Sequence, residues 1–546
     1  MAEWVKKTIG EAFDEVVEKY PRKEAFIFED QRITYREMGE KINSFAKGLL
    51  NLGVKKGGKI SLLMTSRPEW MIAKFASAKI GAILVPVNTR YKAYELEYIL
   101  KQSDSTVLIM MDRFLNINYL QMVKELCPEL ETSSTRRFRS ERLPMLKHVV
   151  ILGKDRLPGA WSFAEVLENG AKLSLDAEVK KNQQSIDPED IVNIQYTSGT
   201  TGFPKGAMLS HNMYGHMLSV GRGMHFNSKD CLMIPNPFFH VFGSICGILL
   251  CVLHGGTIAT IEYFDPEACL KMIERAKATA IHGVPAMFLM QMEHPNFKKY
   301  DVSSLRTGVI GGSPCPVELT KRIIREMHLP ELTVVYGITE TSSCTTQSRI
   351  GDPPEIVATT VGKPLPFLEG KIVDPHSGKE IGQGQQGEFC ARGPMIMKGY
   401  YKMPEETKKA IDEEGWFHTG DLLVKLEDGN YKVTGRVKEM YIVGGENVYP
   451  AEVENFLSTH PKIKQAYVTG VPDPRLGEVG MCFVELKNGE VAADEEIIQY
   501  CKGAIANYKI PRYVKFMREF PMTASGKIQK FKLREMGIEE LNLKDQ

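Results

Sequence analysis

The sequence lacks any cysteine pair spaced as C-x-x-C, although it contains ten cysteines, most of them with apolar neighbours. This distribution predicts reduced thiols in the protein core. An excess of charge of one sign is also missing, because 69 Lys and Arg face 68 Asp and Glu in 546 residues and the net charge is +1. The balance argues against nucleic acid or an anionic membrane as the partner and favours a small anionic substrate.

A long uninterrupted apolar run is absent as well. The longest weakly polar stretch, residues 241–261, is broken by the His-Gly-Gly sequence at residues 254–256. Residues 244–253 and 257–261 therefore predict a buried helix followed by a buried strand, and not a membrane span. The first seven residues have no apolar signal-peptide core and the last three are not a peroxisomal tripeptide, so a cytoplasmic enzyme is expected.

What the sequence does contain is a dense phosphate-binding pattern at residues 196–206. The segment holds four Ser or Thr hydroxyls, three glycines and one lysine. Hydroxyl and backbone N–H groups donate to phosphate oxygens, glycine allows close approach, and lysine supplies a positive charge. It is not a Walker A loop, because no glycine directly precedes Lys205 and Gly206 follows it.

The flanks of this loop predict strands on both sides. Residues 190–196 are typical of a strand, and apolar residues 207–209 follow the loop before Ser210, which is expected to cap a helix. We therefore interpret the loop as a strand-to-strand connection.

Five further segments follow in sequence order: residues 336–340, 416–421, 435–439, 444–447 and 521–527. Together with the loop they resemble the motifs of the adenylate-forming superfamily, which contains acyl-CoA synthetases, peptide-synthetase adenylation domains and luciferases. The resemblance spans nearly the whole chain. It implies an AMP-forming acyl-CoA synthetase that uses ATP, Mg²⁺ and coenzyme A and serves fatty acid or other lipid metabolism.

Short apolar runs alternate with helical patterns in two series: residues 60–64, 83–87 and 107–111, then 231–234, 257–261, 280–282, 308–310 and 332–335. Such alternation predicts an α/β fold with two doubly wound parallel sheets. Residues 360–434 contain short β-like pieces with glycine turns, which predict a small antiparallel β-barrel.

The chain is too long for one hydrophobic core, so more than one domain is expected. Residues 1–435 are interpreted as an N-terminal domain that holds ATP and the acyl pocket. By resemblance, residues 436–439 with Lys438 are the hinge, and residues 440–546 form a smaller, mobile α+β domain that carries the catalytic lysine and the coenzyme A channel.

The resemblance implies that the substrate carboxylate attacks the α-phosphate of ATP, and that the coenzyme A thiol then displaces AMP. It assigns Glu340 as the Mg²⁺ ligand, Thr339 as a donor to the α-phosphate and Lys527 as the catalytic lysine. The other implied nucleotide and coenzyme A residues are Thr197, Ser198, Gly199, Thr200, Thr201, Gly202 and Lys205 in the loop, Gly312, Ser313, Tyr336 and Gly337 around adenine, Asp421 and Arg436 at the ribose, and Gly444, Gly445 and Glu446 at the pantetheine path.

The acyl pocket is expected to be lined by His240, Val241 and Phe242, together with Gly311 and Gly337. Acetate-specific relatives carry tryptophan where this chain has Gly337, so a deep pocket is expected, and Gly337→Trp should shift preference toward acetate or propionate. Residues 239–243 include no acidic side chain to pair with an α-ammonium group. A medium-chain fatty acid, or an aromatic or alicyclic acid, is therefore expected instead of an amino acid.

Other functions remain open at this point. A stand-alone adenylating enzyme could load a carrier protein, although no carrier domain follows Lys527 and the Gly444-Gly445 pair fits a pantetheine path. A non-catalytic nucleotide-binding module would not need both Glu340 and Lys527. A luciferase-like oxidation of the adenylate is testable by light emission. Neither composition nor the resemblance decides between a monomer and a homodimer.

Overall fold

The computed structural model describes residues 4–133, 135–197, 204–313, 315–444, 446–522 and 528–543. The chain divides into two compact units. The first comprises Met1–Glu369 with Arg392–Phe417, and the second comprises Gly370–Ala391 with His418–Gln546. The domain boundary at residue 435 and the hinge at residues 436–439 stay predictions.

The strands are numbered in chain order. Those up to residue 210 are β1 (Glu24–Phe28), β2 (Gln31–Thr34), β3 (Lys59–Leu63), β4 (Ile83–Pro86), β5 (Ser105–Met111), β6 (Arg113–Phe114), β7 (Ile117–Asn118), β8 (His148–Leu152), β9 (Trp161–Ser162), β10 (Ile191–Thr197) and β11 (Lys205–Ser210). Those up to residue 364 are β12 (Cys231–Ile234), β13 (Thr257–Thr260), β14 (Ala280–Gly283), β15 (Thr307–Gly311), β16 (Glu331–Tyr336), β17 (Thr346–Gln347) and β18 (Lys363–Pro364). The remainder are β19 (Glu369–Val373), β20 (Gln386–Arg392), β21 (Phe417–Lys425), β22 (Tyr431–Arg436), β23 (Tyr441–Val443), β24 (Glu446–Val448), β25 (Ile463–Asp473), β26 (Gly477–Leu486) and β27 (Tyr513–Phe516).

The α-helices are numbered in the same way. The first nine are α1 (Ile9–Lys19), α2 (Tyr35–Asn51), α3 (Pro68–Lys79), α4 (Ala93–Gln102), α5 (Tyr119–Leu126), α6 (Glu129–Thr132), α7 (Phe163–Lys172), α8 (Asp176–Gln184) and α9 (Met213–Gly223). The others are α10 (Leu250–Leu253), α11 (Pro266–Ala276), α12 (Pro285–Met292), α13 (Val317–Glu326), α14 (Pro354–Thr359), α15 (Pro404–Ala410), α16 (Pro450–Leu457), α17 (Asp494–Cys501) and α18 (Lys530–Glu540). Short 3₁₀ turns occur at Phe297–Lys299, Thr339–Thr341, Val437–Glu439 and Asn507–Lys509, and Phe242–Leu249 is a π-helix.

Several helix starts follow directly from the sequence. Thr8, Thr34 and Ser162 each precede a helix and each accept the backbone N–H of a glutamate three residues later, whose side chain bonds back to the cap. These reciprocal capping boxes satisfy backbone donors that the first helical turn leaves without a partner. The expected cap at Ser210 is wrong: α9 has Asn212 at its N-cap, and the Ser210 hydroxyl accepts the Asn212 N–H at 3.4 Å.

Two large sheets form the first unit, and the predicted fold class is confirmed. The nine-stranded sheet has the order β18-β17-β16-β15-β14-β12-β13-β1-β2, and the seven-stranded sheet has the order β11-β10-β4-β3-β5-β8-β9. The inner strands are parallel in both sheets. Parallel neighbours require crossover connections, which the intervening helices supply.

The apolar strand residues of the nine-stranded sheet pack against helices. Met233, Ile281 and Ile310, from three adjacent strands, share one cluster with Ile273 of α11 and Phe288 of α12, and all five are at most 1% exposed. Burial of this kind contributes about 1.5–3 kcal/mol for each large apolar side chain. The packed layer therefore fixes the strand ends, where ligands bind in open α/β sheets.

The second unit contains two smaller sheets. The region expected to form a small barrel has a four-stranded sheet in the order β19-β20-β21-β22. The last part of the chain forms a sheet in the order β24-β23-β26-β25, with β27 parallel to β26. Its core includes Tyr441, Val468 and Val484. In the part of the chain that the structure describes, no helix is both long and apolar enough to cross a membrane.

Candidate active site

The predicted phosphate loop joins two antiparallel strands, as expected. β10 pairs with β11 over their whole length, and Thr197 lies opposite Lys205 where the loop begins and ends. The Thr197 hydroxyl donates to the Lys205 carbonyl at 3.4 Å. Five of the predicted loop residues lie outside the described residues: Ser198, Gly199, Thr200, Thr201 and Gly202.

Lys205 is placed among aromatic and acidic groups of the first unit. Its ammonium lies 4.4 Å from the centre of the Tyr400 ring and 3.3 Å from Glu406 Oε2. Residues 398–401 run beside β11, and Ala207 pairs with Tyr400. This pairing brings Tyr400, almost two hundred residues away in sequence, to the lysine end of the loop.

Tyr400 also contacts Glu340. Its hydroxyl donates to Glu340 Oε1 at 2.8 Å, and the Glu340 carbonyl accepts the Met397 N–H at 2.7 Å. Burial, together with the Glu340 carboxylate, raises the pKa of Tyr400 well above its usual value. The phenol therefore stays protonated and keeps donating to the carboxylate. Sequence reasoning missed Tyr400, and no local pattern identifies it.

Glu340 itself lies in a short turn directly after β16. The Thr341 hydroxyl accepts the Ile338 N–H at 3.1 Å, which closes the 3₁₀ turn that contains Thr339 and Glu340. Glu340 is only 9% exposed. A buried carboxylate needs hydrogen-bond donors or a cation, and the tyrosine supplies one donor.

Two neighbouring strand ends bring together the residues that were predicted to surround adenine. β15 and β16 are parallel, and Gly311 lies opposite Val335, next to Tyr336. Gly312 follows with φ +86°, a backbone conformation that favours glycine. Gly312 and Ser313 are exposed, and Tyr336 is half-buried. The structure therefore places Gly311, Gly312 and Ser313 beside Tyr336 at the carboxyl edge of the sheet.

Gly337 lies where two segments of backbone come close together. A Cβ built on Gly337 would lie 2.2 Å from the Ser343 carbonyl oxygen and 2.5 Å from the Cys344 Cα. The chain turns back on itself here, with Ser342 at φ +53° and Ser343 at φ +89°. The missing side chain allows two backbone segments to touch, so an indole introduced by Gly337→Trp would have to displace the 343–344 backbone. That Gly337 lines the acyl pocket stays a prediction.

Gly337→Ala should instead destabilise the first unit. One methyl group forces the 343–344 backbone to move, and overpacking of this kind typically costs about 1–3 kcal/mol. Thermal unfolding should show a lower Tm and adenylate formation should fall. Gly382→Ala is the matched control, because a Cβ at that exposed position meets no atom within 4 Å. Equal Tm values for the two variants would contradict the close approach.

The predicted acyl-pocket segment follows β12. The His240 carbonyl accepts the Ser244 hydroxyl at 3.0 Å, and Gln195 on β10 donates to the Phe239 carbonyl at 2.7 Å. Val241 and Phe242 are buried. The predicted buried helix and strand are confirmed, but most of the helix is the π-helix Phe242–Leu249, whose residues are all buried.

An imidazole from β14 packs on this segment. The ring of His282 stacks on Phe242 with centroids 6.0 Å apart and planes 15° apart. Burial lowers the pKa of His282 to about 3, so the ring is neutral. The π-helix Phe242–Leu249 contains no ionisable side chain other than a cysteine, and its neighbour His282 is neutral, which suits an apolar acyl group.

The predicted ribose residues are paired in the second unit. Arg436 Nε lies 2.7 Å from Asp421 Oδ1, and the two residues are directly opposite on β21 and β22. The Asp421 side chain is 6% exposed and the Arg436 side chain is 46% exposed. Lys438 follows as an exposed residue in the Val437–Glu439 turn.

The predicted pantetheine loop connects β23 to β24. Gly444 has φ +59° and donates its N–H to the Leu476 carbonyl at 2.8 Å. Glu446 is exposed at the start of β24. Gly445 and Lys527 lie outside the described residues.

Comparisons with known proteins identify the family. Residues 13–401 match the AMP-binding enzyme family, and residues 452–527 match the AMP-binding enzyme C-terminal domain. The protein YngI of Bacillus subtilis (strain 168), whose name assigns it to the acyl-CoA synthetases, is 45% identical over 100% of this chain and 99% of its own. Human ACSF2, a mitochondrial medium-chain acyl-CoA ligase, is 38% identical over 98% of this chain and 88% of its own.

A solved structure gives the same fold. The anthranilate CoA ligase AuaEII, in complex with anthranoyl-AMP, superposes with a TM-score of 0.85 at 26% identity and covers 98% of both chains. Loop topology, strand-end residues and full-length relatives therefore agree with the resemblance seen in the sequence. The chain belongs to the AMP-binding enzymes of the adenylate-forming superfamily and is an AMP-forming acyl-CoA synthetase, which activates a carboxylic acid with ATP through an acyl-adenylate.

Proposed function

We propose that this enzyme converts medium-chain carboxylic acids into their coenzyme A thioesters. The observation that carries the proposal is the proposed acyl wall, which begins at His240, Val241 and Phe242 and continues along the π-helix. Every residue of Phe242–Leu249 is buried and none carries a charge. An apolar wall contributes favourable transfer free energy for each methylene that leaves water, about 0.8 kcal/mol. Human ACSF2, named for medium-chain substrates, supports the same acid class.

An aromatic or alicyclic acid is the second candidate. The stacked rings of Phe242 and His282 offer a flat neutral surface of the kind on which a ring can pack. AuaEII, whose structure contains anthranoyl-AMP, supports this candidate at the level of the fold.

Glu340 is the proposed Mg²⁺ ligand. Mg²⁺ prefers hard oxygen donors, and Glu340 is a carboxylate fixed in a buried turn by the Tyr400 hydroxyl. When bound, Mg²⁺ would neutralise phosphate charge that otherwise repels the attacking carboxylate. Thr339 precedes it in the same turn, where its hydroxyl is the proposed donor to the α-phosphate.

The remaining site roles are proposals of the same kind. Thr197 and Lys205, with the loop between them, are proposed to hold the triphosphate. Asp421 and Arg436 are proposed to bind the ribose. Tyr336 and residues 311–313 are proposed to contact the adenine. Lys527 is the proposed catalytic lysine, and residues 444–446 are proposed to line the pantetheine path.

We further propose a cytoplasmic location and a role in fatty acid metabolism. None of the ten cysteines, all within the described residues, forms a disulfide, which supports a reducing compartment.

A substrate panel tests the proposal. The full-length protein would be assayed for AMP, ADP and pyrophosphate with acetate, hexanoate, octanoate, decanoate, palmitate, benzoate and cyclohexanecarboxylate, each with and without coenzyme A. We expect AMP and pyrophosphate, thioester only with coenzyme A, and the highest kcat/KM for the medium-chain acids. A maximum at benzoate would favour the second candidate, and a maximum at acetate or palmitate would refute both.

A further inference from the structure

Three potential metal ligands converge on the four-stranded sheet of the second unit. Glu388 and Cys390 are alternate residues of β20, so their side chains lie on the same face, and His418 lies on the neighbouring strand β21. His418 Nδ1 lies 2.9 Å from Glu388 Oε2 and 3.4 Å from Cys390 Sγ. The three ligand atoms lie within 4.8 Å of one another. Among the described residues, no other group of three His, Cys, Asp or Glu side chains meets this distance.

These separations are close to those around a tetrahedral ion. Bonds of about 2.1 Å to nitrogen and oxygen and about 2.3 Å to sulfur place neighbouring donor atoms roughly 3.4–3.6 Å apart. The observed 3.4 Å between sulfur and nitrogen already fits, and the 2.9 Å between nitrogen and oxygen must widen by about half an ångström. Small side-chain rotations are sufficient for that change.

The ligand set selects the kind of metal. Thiolate and imidazole prefer borderline or soft ions such as Zn²⁺, whereas Mg²⁺ requires oxygen donors. Cys390 would bind as a thiolate after releasing its proton to solvent, Glu388 as a carboxylate and His418 as a neutral imidazole. One divalent cation with one thiolate and one carboxylate leaves the cluster without net charge. A neutral complex avoids the cost of leaving an uncompensated charge inside the protein.

The cluster is open on one side. Cys390 is buried, but the His418 side chain is 30% exposed and the Glu388 side chain is 14% exposed. Three protein ligands with access to solvent leave a fourth position for water, as in catalytic zinc sites.

The ligands are also held in place before any ion binds. Glu388 Oε1 accepts the Gly420 N–H at 2.9 Å, and the Thr419 hydroxyl donates to the Phe389 carbonyl at 2.7 Å. Both bonds cross between β20 and β21. Because the ion would use the other carboxylate oxygen, Oε2, the Gly420 bond can persist and little ordering is needed on binding.

We propose that Glu388, Cys390 and His418 form a binding site for Zn²⁺ or a chemically similar divalent ion. This site is distinct from the Mg²⁺ site proposed at Glu340. The site lies three residues before Asp421 on the same strand, so an ion there would rigidify the strand that carries the ribose residue.

Cobalt titration of the full-length protein tests the site, because Co²⁺ replaces Zn²⁺ and reports bonded thiolate by a charge-transfer absorption band. We expect one Co²⁺ per chain with this band, displacement by Zn²⁺, and no change with excess Mg²⁺. Cys390→Ala should abolish the band. His418→Gln and Glu388→Gln should weaken binding by at least about tenfold, as changes at metal sites do. Circular dichroism would verify that the variants are folded.

Cys315→Ala is the matched control, because Cys315 is partly exposed and lies outside the cluster. Its absorption band should match that of the wild-type protein. The proposal is overturned if the wild-type protein shows no thiolate band or if the band persists in Cys390→Ala.

Discussion

Replacing Lys527 with alanine should abolish adenylate formation and leave thioester synthesis from supplied acyl-adenylate intact. In the first step both reactants are anions, and an ammonium group aimed at the reacting oxygens stabilises the charge of the transition state. Removing one such group typically costs on the order of 100- to 1,000-fold in rate. Pyrophosphate exchange would measure the first step, and coenzyme A consumption with synthetic acyl-AMP would measure the second.

The converse variant is Gly445→Leu. A side chain in the proposed pantetheine path should block thioester synthesis and leave pyrophosphate exchange largely unchanged, because the first step does not use coenzyme A. Lys532 is an exposed lysine of α18, and Lys532→Ala is the control for the loss of a positive charge in Lys527→Ala. Gly382→Leu is the control for the added side chain in Gly445→Leu, because Gly382 has open space around it. Equal loss of both steps in each variant would rule out the proposal that the C-terminal domain presents two faces in turn about Lys438.

Glu340→Gln should lower the rate of adenylate formation by about 100- to 1,000-fold at ordinary Mg²⁺ concentrations, since it removes the charge that would hold the cation. The amide keeps the size of the side chain, and its oxygen can still accept the Tyr400 hydroxyl, so the turn should remain folded. Pyrophosphate exchange across a Mg²⁺ series should show that much more Mg²⁺ is needed for half-maximal rate. Glu318→Gln, at an 83% exposed position of α13, is the control.

Tyr400→Phe separates positioning from charge. Loss of the hydroxyl removes a hydrogen bond to a charged group, which is worth about 1.5–3 kcal/mol. We expect a smaller loss than in Glu340→Gln, seen mainly in kcat and in the Mg²⁺ dependence. If Glu340→Gln retained the wild-type Mg²⁺ dependence, another residue would have to be the metal ligand.

The parts of the fold that depend on local patterns could be predicted from the sequence. All eight predicted strands of the two large sheets are present, and no end differs from the prediction by more than two residues. The hairpin around the phosphate loop followed from its apolar flanks. Capping boxes such as that of Thr8 and Glu11 are also readable, because both partners lie within four residues.

What could not be predicted depends on contacts between distant residues. The roles of Gly337 and Tyr400 are set by the 343–344 backbone and by Glu340, sixty residues from the tyrosine. The trio of Glu388, Cys390 and His418 requires knowing that β20 and β21 are neighbours. The sequence alone shows only that Glu388 and Cys390 are two residues apart, and two residues on one strand face do not define a site.

The π-helix at Phe242–Leu249 makes the number of residues in this segment as important as their identity. A π-helix bonds each N–H to the carbonyl five residues earlier, one residue more than an α-helix. Deleting a single residue would therefore allow ordinary α-helical bonding, and successive side chains within the segment would take the spacing of about 100° that an α-helix has. Because His240, Val241 and Phe242 stand at its start, one deletion could re-aim the proposed acyl wall without any substitution. Insertions and deletions here are thus a direct route by which acid preference could diverge between related enzymes.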